Sequence, residues 1–173
     1  MNKKNLSESL NRSCHDLVEW VSQQENSRFV QGPEGKWDTS QHIDHLMKTT
    51  KALTKGLKIP KFLLKYRFGT PNRDLRKYDL IVEKYQSKLK SIPAGVVAPF
   101  TSISHPVSNK EIVLKTFSDD NGTLIKTLNK WSEKQLDNYL LPHPLMGRMI
   151  VREILMWTHY HHYHHLNILK EKY

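Results

Sequence analysis

The sequence predicts an all-α protein, a four-helix bundle with a long Pro-rich crossover between the second and third core helices. Apolar residues recur at spacings of three and four in four separate segments, which is the periodicity of amphipathic helices. Residues that favour helix starts and turns separate these segments. No segment shows the strict alternation of a convincing strand, and no internal repeat is present. These observations together favour packed helices over a sheet.

The first two core helices are predicted at residues 5–26 and 38–57. The apolar stripe of the first consists of Leu6, Leu10, Leu17 and Val21, and that of the second of Ile43, Leu46, Leu53 and Leu57. A linker containing Pro33 ends the first helix. Asp38 or Thr39 can accept hydrogen bonds from the free backbone amides at the start of the second.

The third and fourth core helices are predicted at residues 109–131 and 149–170. The stripe of the third includes Leu114, Phe117, Leu124 and Leu128, and that of the fourth includes Ile150, Ile154, Trp157, His161, His165 and Ile168. Ser108 and Glu111 form a capping-box pattern at the start of the third. Two inserted segments, KFLLKYRF and DLRKYDLIVEKYQSKL, follow the second helix. Prolines in residues 91–108 exclude a regular helix there, so this segment is predicted to cross the bundle surface.

Length and composition predict a single domain spanning residues 1–173. The lone Cys14 cannot form an intramolecular disulfide, and the basic start lacks the apolar run of a signal peptide, so we expect a cytoplasmic protein with no membrane partner. The formal net charge is +10, which raises nucleic acid as a candidate partner. Because the basic residues are spread along the chain without a nucleic-acid-binding motif, we interpret the excess mainly as a solvated face and expect no specific nucleic acid.

Five of the ten histidines fall within residues 159–165. Successive helical residues rotate by about 100°, so His161 and His165 share a face one turn apart. That face also carries Ile154 and Trp157, whereas His159 and His162 are predicted to point away from it toward solvent. Two imidazoles four residues apart on a buried face can direct ring nitrogens at one cation.

A third metal ligand would have to come from another helix. In QHIDHL, His45 lies beside the apolar stripe and in line with Thr49, Ala52 and Gly56, whose small side chains allow a close approach. His42 lies even closer to the centre of the stripe. Helical geometry alone therefore leaves both histidines open as the third ligand.

Three motifs of the chain resemble a known family: WDTSQHIDHL, HPLMGRM and HYHHYHHLNI. They are similar to motifs of the DinB-like superfamily of four-helix-bundle metalloproteins, which also includes the YfiT-type proteins assigned as metal-dependent hydrolases. In that family a Trp opens the second helix and the metal histidine follows eight positions later, as His45 follows Trp37. The last helix carries a motif matched by His161, His164, His165 and Leu166, preceded by a loop like His143, Pro144 and Gly147. The resemblance thus selects His45 over His42 and implies the ligand set His45, His161 and His165.

The resemblance also implies a function. Three neutral histidines leave an open coordination position, which is typical of a catalytic divalent site. Members of the superfamily join a low-molecular-weight thiol to an electrophile, so we expect a thiol-dependent S-transferase or a hydrolase acting on a small molecule. Zinc or nickel is the expected metal, and a homodimer is a further option. Catalytic residues remain unassigned, and the absence of H-E-x-x-H excludes a zincin peptidase. A non-catalytic metal-binding or stress-response module is the alternative.

Overall fold

Helices make up most of the protein in the computed structural model, which describes residues 1–93, 100 and 102–173. The mostly helical architecture predicted from the sequence is thereby confirmed. Within the described residues the helices are, in chain order, α1 (Lys3–Gln23), α2 (Asn26–Val30), α3 (Thr39–Lys58), α4 (Lys61–Phe68), α5 (Tyr78–Lys90), α6 (Lys110–Leu128), α7 (Glu133–Asn138) and α8 (Val151–Lys172).

The four predicted core helices correspond to α1, α3, α6 and α8. Asp38 caps α3: its side chain accepts from the backbone N–H of Gln41, while the Gln41 side chain accepts from the backbone N–H of Asp38. The expected capping box at Ser108 and Glu111 does not form. A 3-10 turn at Val107–Asn109 leads into α6 instead, without a capping side chain.

The long helices pack side by side, with α3 against α6, α6 against α1, α1 against α8 and α8 against α3. The resulting core is apolar, and Leu6, Leu17, Ile43, Phe117 and Leu124 are fully buried in it. Helix α8 is buried around most of its circumference, because the inserted helix α5 covers a further side of it. Side chains on several faces of α8 are therefore removed from water.

A short antiparallel hairpin precedes α8, which corrects the prediction that no strand is present. Strand β1 (Leu140–His143) pairs with β2 (Gly147–Ile150), with His143 opposite Gly147. Gly147 has a φ of 71°, a value that glycine adopts without strain. The Nδ1 atom of His143 accepts from the backbone N–H groups of Leu145 and Met146 at 3.1 Å each. The HPLMG sequence is therefore the turn of the hairpin, and α8 begins at Val151, two residues later than expected.

A buried ion pair fastens the segment between α4 and α5 to α8. Glu153, in the first turn of α8, is completely buried and accepts from both terminal nitrogens of Arg73, at 2.5 and 2.6 Å, and from the backbone N–H of Arg76 at 2.9 Å. Burial would raise the pKa of Glu153, but these hydrogen bonds outweigh it and hold the pKa below its usual range. The inserted segments are thus joined to the core by a paired, ionised carboxylate.

The middle of the Pro-rich segment, residues 94–99 and 101, lies outside the described residues. The described part beyond it is attached to the first turns of α3. The backbone N–H of Ile103 donates to Asp44, the backbone N–H of His105 donates to the Ser40 hydroxyl, and the Ser104 hydroxyl donates to Asp38. These bonds hold residues 103–105 beside the helix that carries His42 and His45.

None of the helices in the described part of the chain combines the length and the apolar character that a membrane crossing requires.

Candidate metal centre

Helices α3 and α8 bring the three predicted metal ligands together. His45 lies in the second turn of α3, and His161 and His165 lie one turn apart on α8. Each of the three offers a ring nitrogen, and these nitrogens all lie within 4.8 Å of one another. The Nε2 atoms of His161 and His165 are 3.0 Å apart. The arrangement follows from the crossing of two amphipathic helices whose apolar stripes contain these histidines.

The histidine cluster could hold a divalent metal ion. Two nitrogens bound to one tetrahedral zinc ion are about 3.3 Å apart, when each lies at about 2.0–2.1 Å from it, so the 3.0 Å separation of the His161 and His165 Nε2 atoms is close to that geometry. His161 and His165 are 2% and 6% exposed. Burial lowers the pKa of all three histidines, and most strongly those of His161 and His165. They therefore stay neutral, which is the form that binds metal.

His45 presents its two ring nitrogens to different partners. Its Nδ1 atom lies 3.4 Å from the carbonyl oxygen of Phe100, which suits a protonated Nδ1 and leaves the lone pair of Nε2 for a metal. Trp37 lies against the cluster, with its ring centroid 5.2 Å from that of His45 and 6.4 Å from that of His165, to which it is nearly parallel. The contact of Trp37 with the candidate ligands was not predicted, because nothing in the sequence distinguishes a Trp at a ligand site from a Trp that only packs in the core.

His42 lies beside the triad and contacts His165 on the edge of the ring that faces away from His161. Its Nδ1 atom is 2.7 Å from Nδ1 of His165, while Nε2 of His165 faces His161. Burial lowers the pKa of His42 to about 4. His42 thus contacts a candidate ligand and does not itself belong to the group of three. The ring nitrogens that lie close enough together to share one ion are those of His45, His161 and His165, and the choice of His45 over His42 as a metal ligand stays a prediction.

The other histidines of α8 have separate environments. His162 is completely buried, 3.0 Å from the Ser13 hydroxyl and packed edge-on against Phe117. The prediction that it faces solvent is wrong, because α1 and Phe117 of α6 cover the side of α8 on which it lies. His159 is half-buried, with Nδ1 3.0 Å from the Ser9 carbonyl oxygen. His164 is half-buried among Tyr85, Tyr160 and the triad.

The three remaining histidines lie outside α3 and α8. His105 lies 3.2 Å from Asp44, and His15 lies with Asp16 and Glu19 on the surface of α1. His143 is buried, and burial lowers its pKa to about 4. Because its Nδ1 accepts two backbone amides, its hydrogen is on Nε2, which has no hydrogen-bond partner among the described residues.

An apolar cavity of about 920 Å³ opens beside the triad. His45 and His161 line it, and most of its other walls come from α3, α5, the hairpin and α8. The apolar side chains in these walls include Leu53, Ile59, Phe68, Leu89, Leu141, Leu145, Ile154 and Trp157. Thr49, Ala52 and Gly56, which the sequence placed in line with His45, all line it. No Asp or Glu occurs among the described residues that line this cavity.

A family comparison agrees with this geometry. The family model of the DinB superfamily matches residues 8–169. This chain belongs to the DinB superfamily. The match covers helices α2 to α7, all but the ends of α1 and α8, and every histidine of the cluster.

No curated protein matches the chain. Membership of the DinB superfamily and a histidine triad that could hold a metal ion are the two findings that bear on its function. The resemblance seen in the sequence motifs is confirmed at the level of the superfamily.

Proposed function

We propose that this chain is a metal-dependent enzyme that joins a low-molecular-weight thiol to a small electrophile. The observation that carries the proposal is that two histidines of the triad, His45 and His161, line an apolar cavity whose described lining contains no carboxylate. His45, His161 and His165 would hold zinc or nickel as neutral ligands. No fourth side chain joins their group within the described residues, which would leave a coordination position for a substrate atom.

The residues around the triad favour a thiol over water as the nucleophile. A bound divalent metal supplies a Lewis acid that deprotonates a coordinated thiol or lowers the pKa of water toward ~7. Activation of water at metal sites is commonly assisted by a carboxylate base, and the described cavity lining offers none. A thiol needs no such base once it is coordinated. The apolar walls would exclude water and hold the apolar part of the electrophile.

We also propose that the chain is one domain in which α1, α3, α6 and α8 form a four-helix bundle. The cyclic packing of these helices supports this arrangement. Residues 91–108 would be the crossover between the second and third of them, since α5 ends at Lys90 and the 3-10 turn begins at Val107. The partner of such a domain would be a small molecule.

The test begins with metal content in tag-free protein. After loading with zinc or nickel and dialysis, we expect about one ion per chain. In cobalt-loaded protein, added N-acetylcysteine should change the visible spectrum by entering the open position. We further expect metal-dependent reaction of N-acetylcysteine with 1-chloro-2,4-dinitrobenzene.

Other outcomes would replace the proposal. Hydrolysis of p-nitrophenyl acetate without any response to thiols would indicate a hydrolase. Stoichiometric metal with neither reaction would favour a non-catalytic metal-binding module. Protein that retains no metal would contradict the metal site itself.

A further inference from the structure

His42 occupies a place in the fold that the triad alone does not explain. It lies on α3 one turn before His45, is 6% exposed, and approaches His165 on the side away from His161. Its ring is packed edge-on by Trp37, at 5.5 Å between centroids, and by Tyr173, at 5.8 Å. A polar side chain held this firmly in the interior has a defined hydrogen-bonding partner on at least one side.

The short contact between the two rings fixes where the hydrogens must be. The Nδ1 atoms of His42 and His165 are 2.7 Å apart, so one must donate and the other accept. A metal on Nε2 of His165 requires that nitrogen to be unprotonated. In a neutral imidazole the hydrogen is then on Nδ1 of His165, which donates to Nδ1 of His42.

The remaining partners are consistent with this direction. With Nδ1 of His42 accepting, its hydrogen is on Nε2, which lies 3.5 Å from the Tyr173 hydroxyl. The Tyr173 hydroxyl donates to the Trp37 carbonyl oxygen, and its lone pairs remain free to face His42. Hydrogens therefore point in one direction from His165 through His42 and Tyr173 to the backbone at the start of α3.

We propose that His42 is a positioning residue, which holds His165 in the Nδ1–H tautomer and directs the Nε2 lone pair toward the metal. Metal-binding histidines usually donate their second N–H to a carboxylate or carbonyl oxygen, and loss of such a partner weakens metal binding. Here another histidine takes that place. The inference rests on the proposed metal site and assigns His42 a role outside the ligand set.

Two substitutions separate positioning from packing. His42→Leu removes the acceptor and keeps an apolar side chain, whereas His42→Asn keeps an acceptor oxygen near the position of Nδ1. We expect His42→Leu to weaken zinc affinity by roughly 10- to 100-fold in competition with a chelator, and His42→Asn to restore most of it. His159→Leu, which changes a histidine of α8 that contacts Ser9 rather than the triad, is the matched control and should leave the zinc affinity unchanged.

A second measurement needs no substitution at His42. In zinc-loaded wild-type protein, ring ¹⁵N NMR should show the hydrogen of His165 on Nδ1 and that of His42 on Nε2. A hydrogen on Nδ1 of His42 would overturn the proposal even if the Leu variant failed to fold.

The outcomes distinguish this inference from the proposed function. Wild-type protein without zinc would contradict both. Zinc bound equally well by wild type and His42→Leu would overturn the positioning role alone. Complete loss of zinc from both His42 variants would also overturn it, because that result identifies a ligand.

Discussion

The triad consists of three histidines whose chemistry is set by burial rather than by charged neighbours. Desolvation is the main cause of the lowered pKa of each. Neutral imidazoles cost less to bury than ions, but a buried ring nitrogen without a hydrogen bond is still unfavourable. Nδ1 of His161 has no hydrogen-bond partner in the part of the chain that the structure describes. A metal ion would satisfy the nitrogens that face one another.

Replacing one histidine of the triad at a time tests the proposed metal site directly. We expect His45→Ala, His161→Ala and His165→Ala each to remove most of the metal from dialysed, tag-free protein, because two imidazoles and solvent bind a divalent ion far more weakly than three. His159→Ala should retain it, since the His159 ring contacts Ser9 and Tyr163 instead. Metal content per chain is the measurement. Equal content in all four variants would mean that the histidine-rich helix binds ions diffusely.

At the scale of elements, the start of α3 is a junction between the helix and the Pro-rich segment. The Asp38 carboxylate accepts from the Gln41 backbone and, at 2.6 Å, from the Ser40 hydroxyl, while its second oxygen accepts from Ser104. One side chain thus caps the helix and holds Ser104 beside it. The orientation of the turn carrying His42 and His45 depends on this cap.

Asp38→Ala should destabilise the protein by about 2 kcal/mol, since loss of a helix cap costs about 0.5–2 kcal/mol and here further hydrogen bonds are lost with it. Urea unfolding of metal-free protein measures the difference. Asp38→Asn is the control: it keeps an acceptor oxygen for Gln41 and should lose less than half as much. An Asp38→Ala variant as stable as wild type would show that the cap contributes little.

Most of the helical elements could be predicted from sequence, and the reasons for the exceptions are physical. The periodicity of α1, α3, α6 and α8 is visible because each buries one apolar stripe. The hairpin was missed because its strands have four residues each and its turn is capped by a histidine side chain, which is no general turn signal. The burial of His162 was missed because a helical wheel assumes one buried face, and α8 has neighbours on several sides.

The candidate ligands could be predicted only in part from the residues. Spacing identified His161 and His165, but His45 was distinguished from His42 by the family pattern. The contact between His42 and His165 joins residues 123 positions apart in the chain, and Tyr173 carries no signal that would connect it with Trp37. Such contacts arise from the way in which α3 and α8 cross, which local patterns do not encode.

At the scale of the whole molecule, buried histidines make the stability sensitive to acid. Burial lowers the pKa of His42 and His143 to about 4 and that of His162 to about 3, whereas the unfolded chain has a histidine pKa of ~6.5. Below that value the unfolded state binds more protons than the folded state. The contribution of these neutral, buried histidines to the stability of the folded state is therefore fully present above pH ~6.5 and is lost as the pH falls.

For metal-free protein we expect a large loss of stability between pH 7 and pH 5. At pH 5 each of these three histidines lowers the free energy of unfolding by about 2 kcal/mol, because it is protonated in the unfolded chain and not in the folded protein. The sum of the three is comparable to the ~5–15 kcal/mol stability of a typical domain. Urea midpoints at both pH values measure the loss, and His162→Asn should reduce it by removing one titrating group. A midpoint that does not change with pH would contradict this account.

The net charge of +10 also belongs to the whole molecule. We expect binding to duplex and single-stranded DNA to be weak at physiological salt and to fall steeply as salt is raised, because spread charges attract phosphate without reading sequence. Fluorescence anisotropy with labelled oligonucleotides measures this. Nanomolar, sequence-selective binding that persists after chelation would instead identify a nucleic-acid-binding protein.

The buried pair of Arg73 and Glu153 should slow any movement of α5 away from α8. Helix α5 forms one wall of the cavity. To move this helix outward, the segment before α5 would have to break its bonds to the fully buried carboxylate of Glu153. We therefore expect α5 to move only when the core itself opens. The backbone amide of Arg76 donates to Glu153 outside any helix, and its hydrogen should exchange with deuterium as slowly as those of α8. Fast exchange at Arg76 would reveal a hinged wall; slow exchange would mean that small molecules reach the histidines without displacing it.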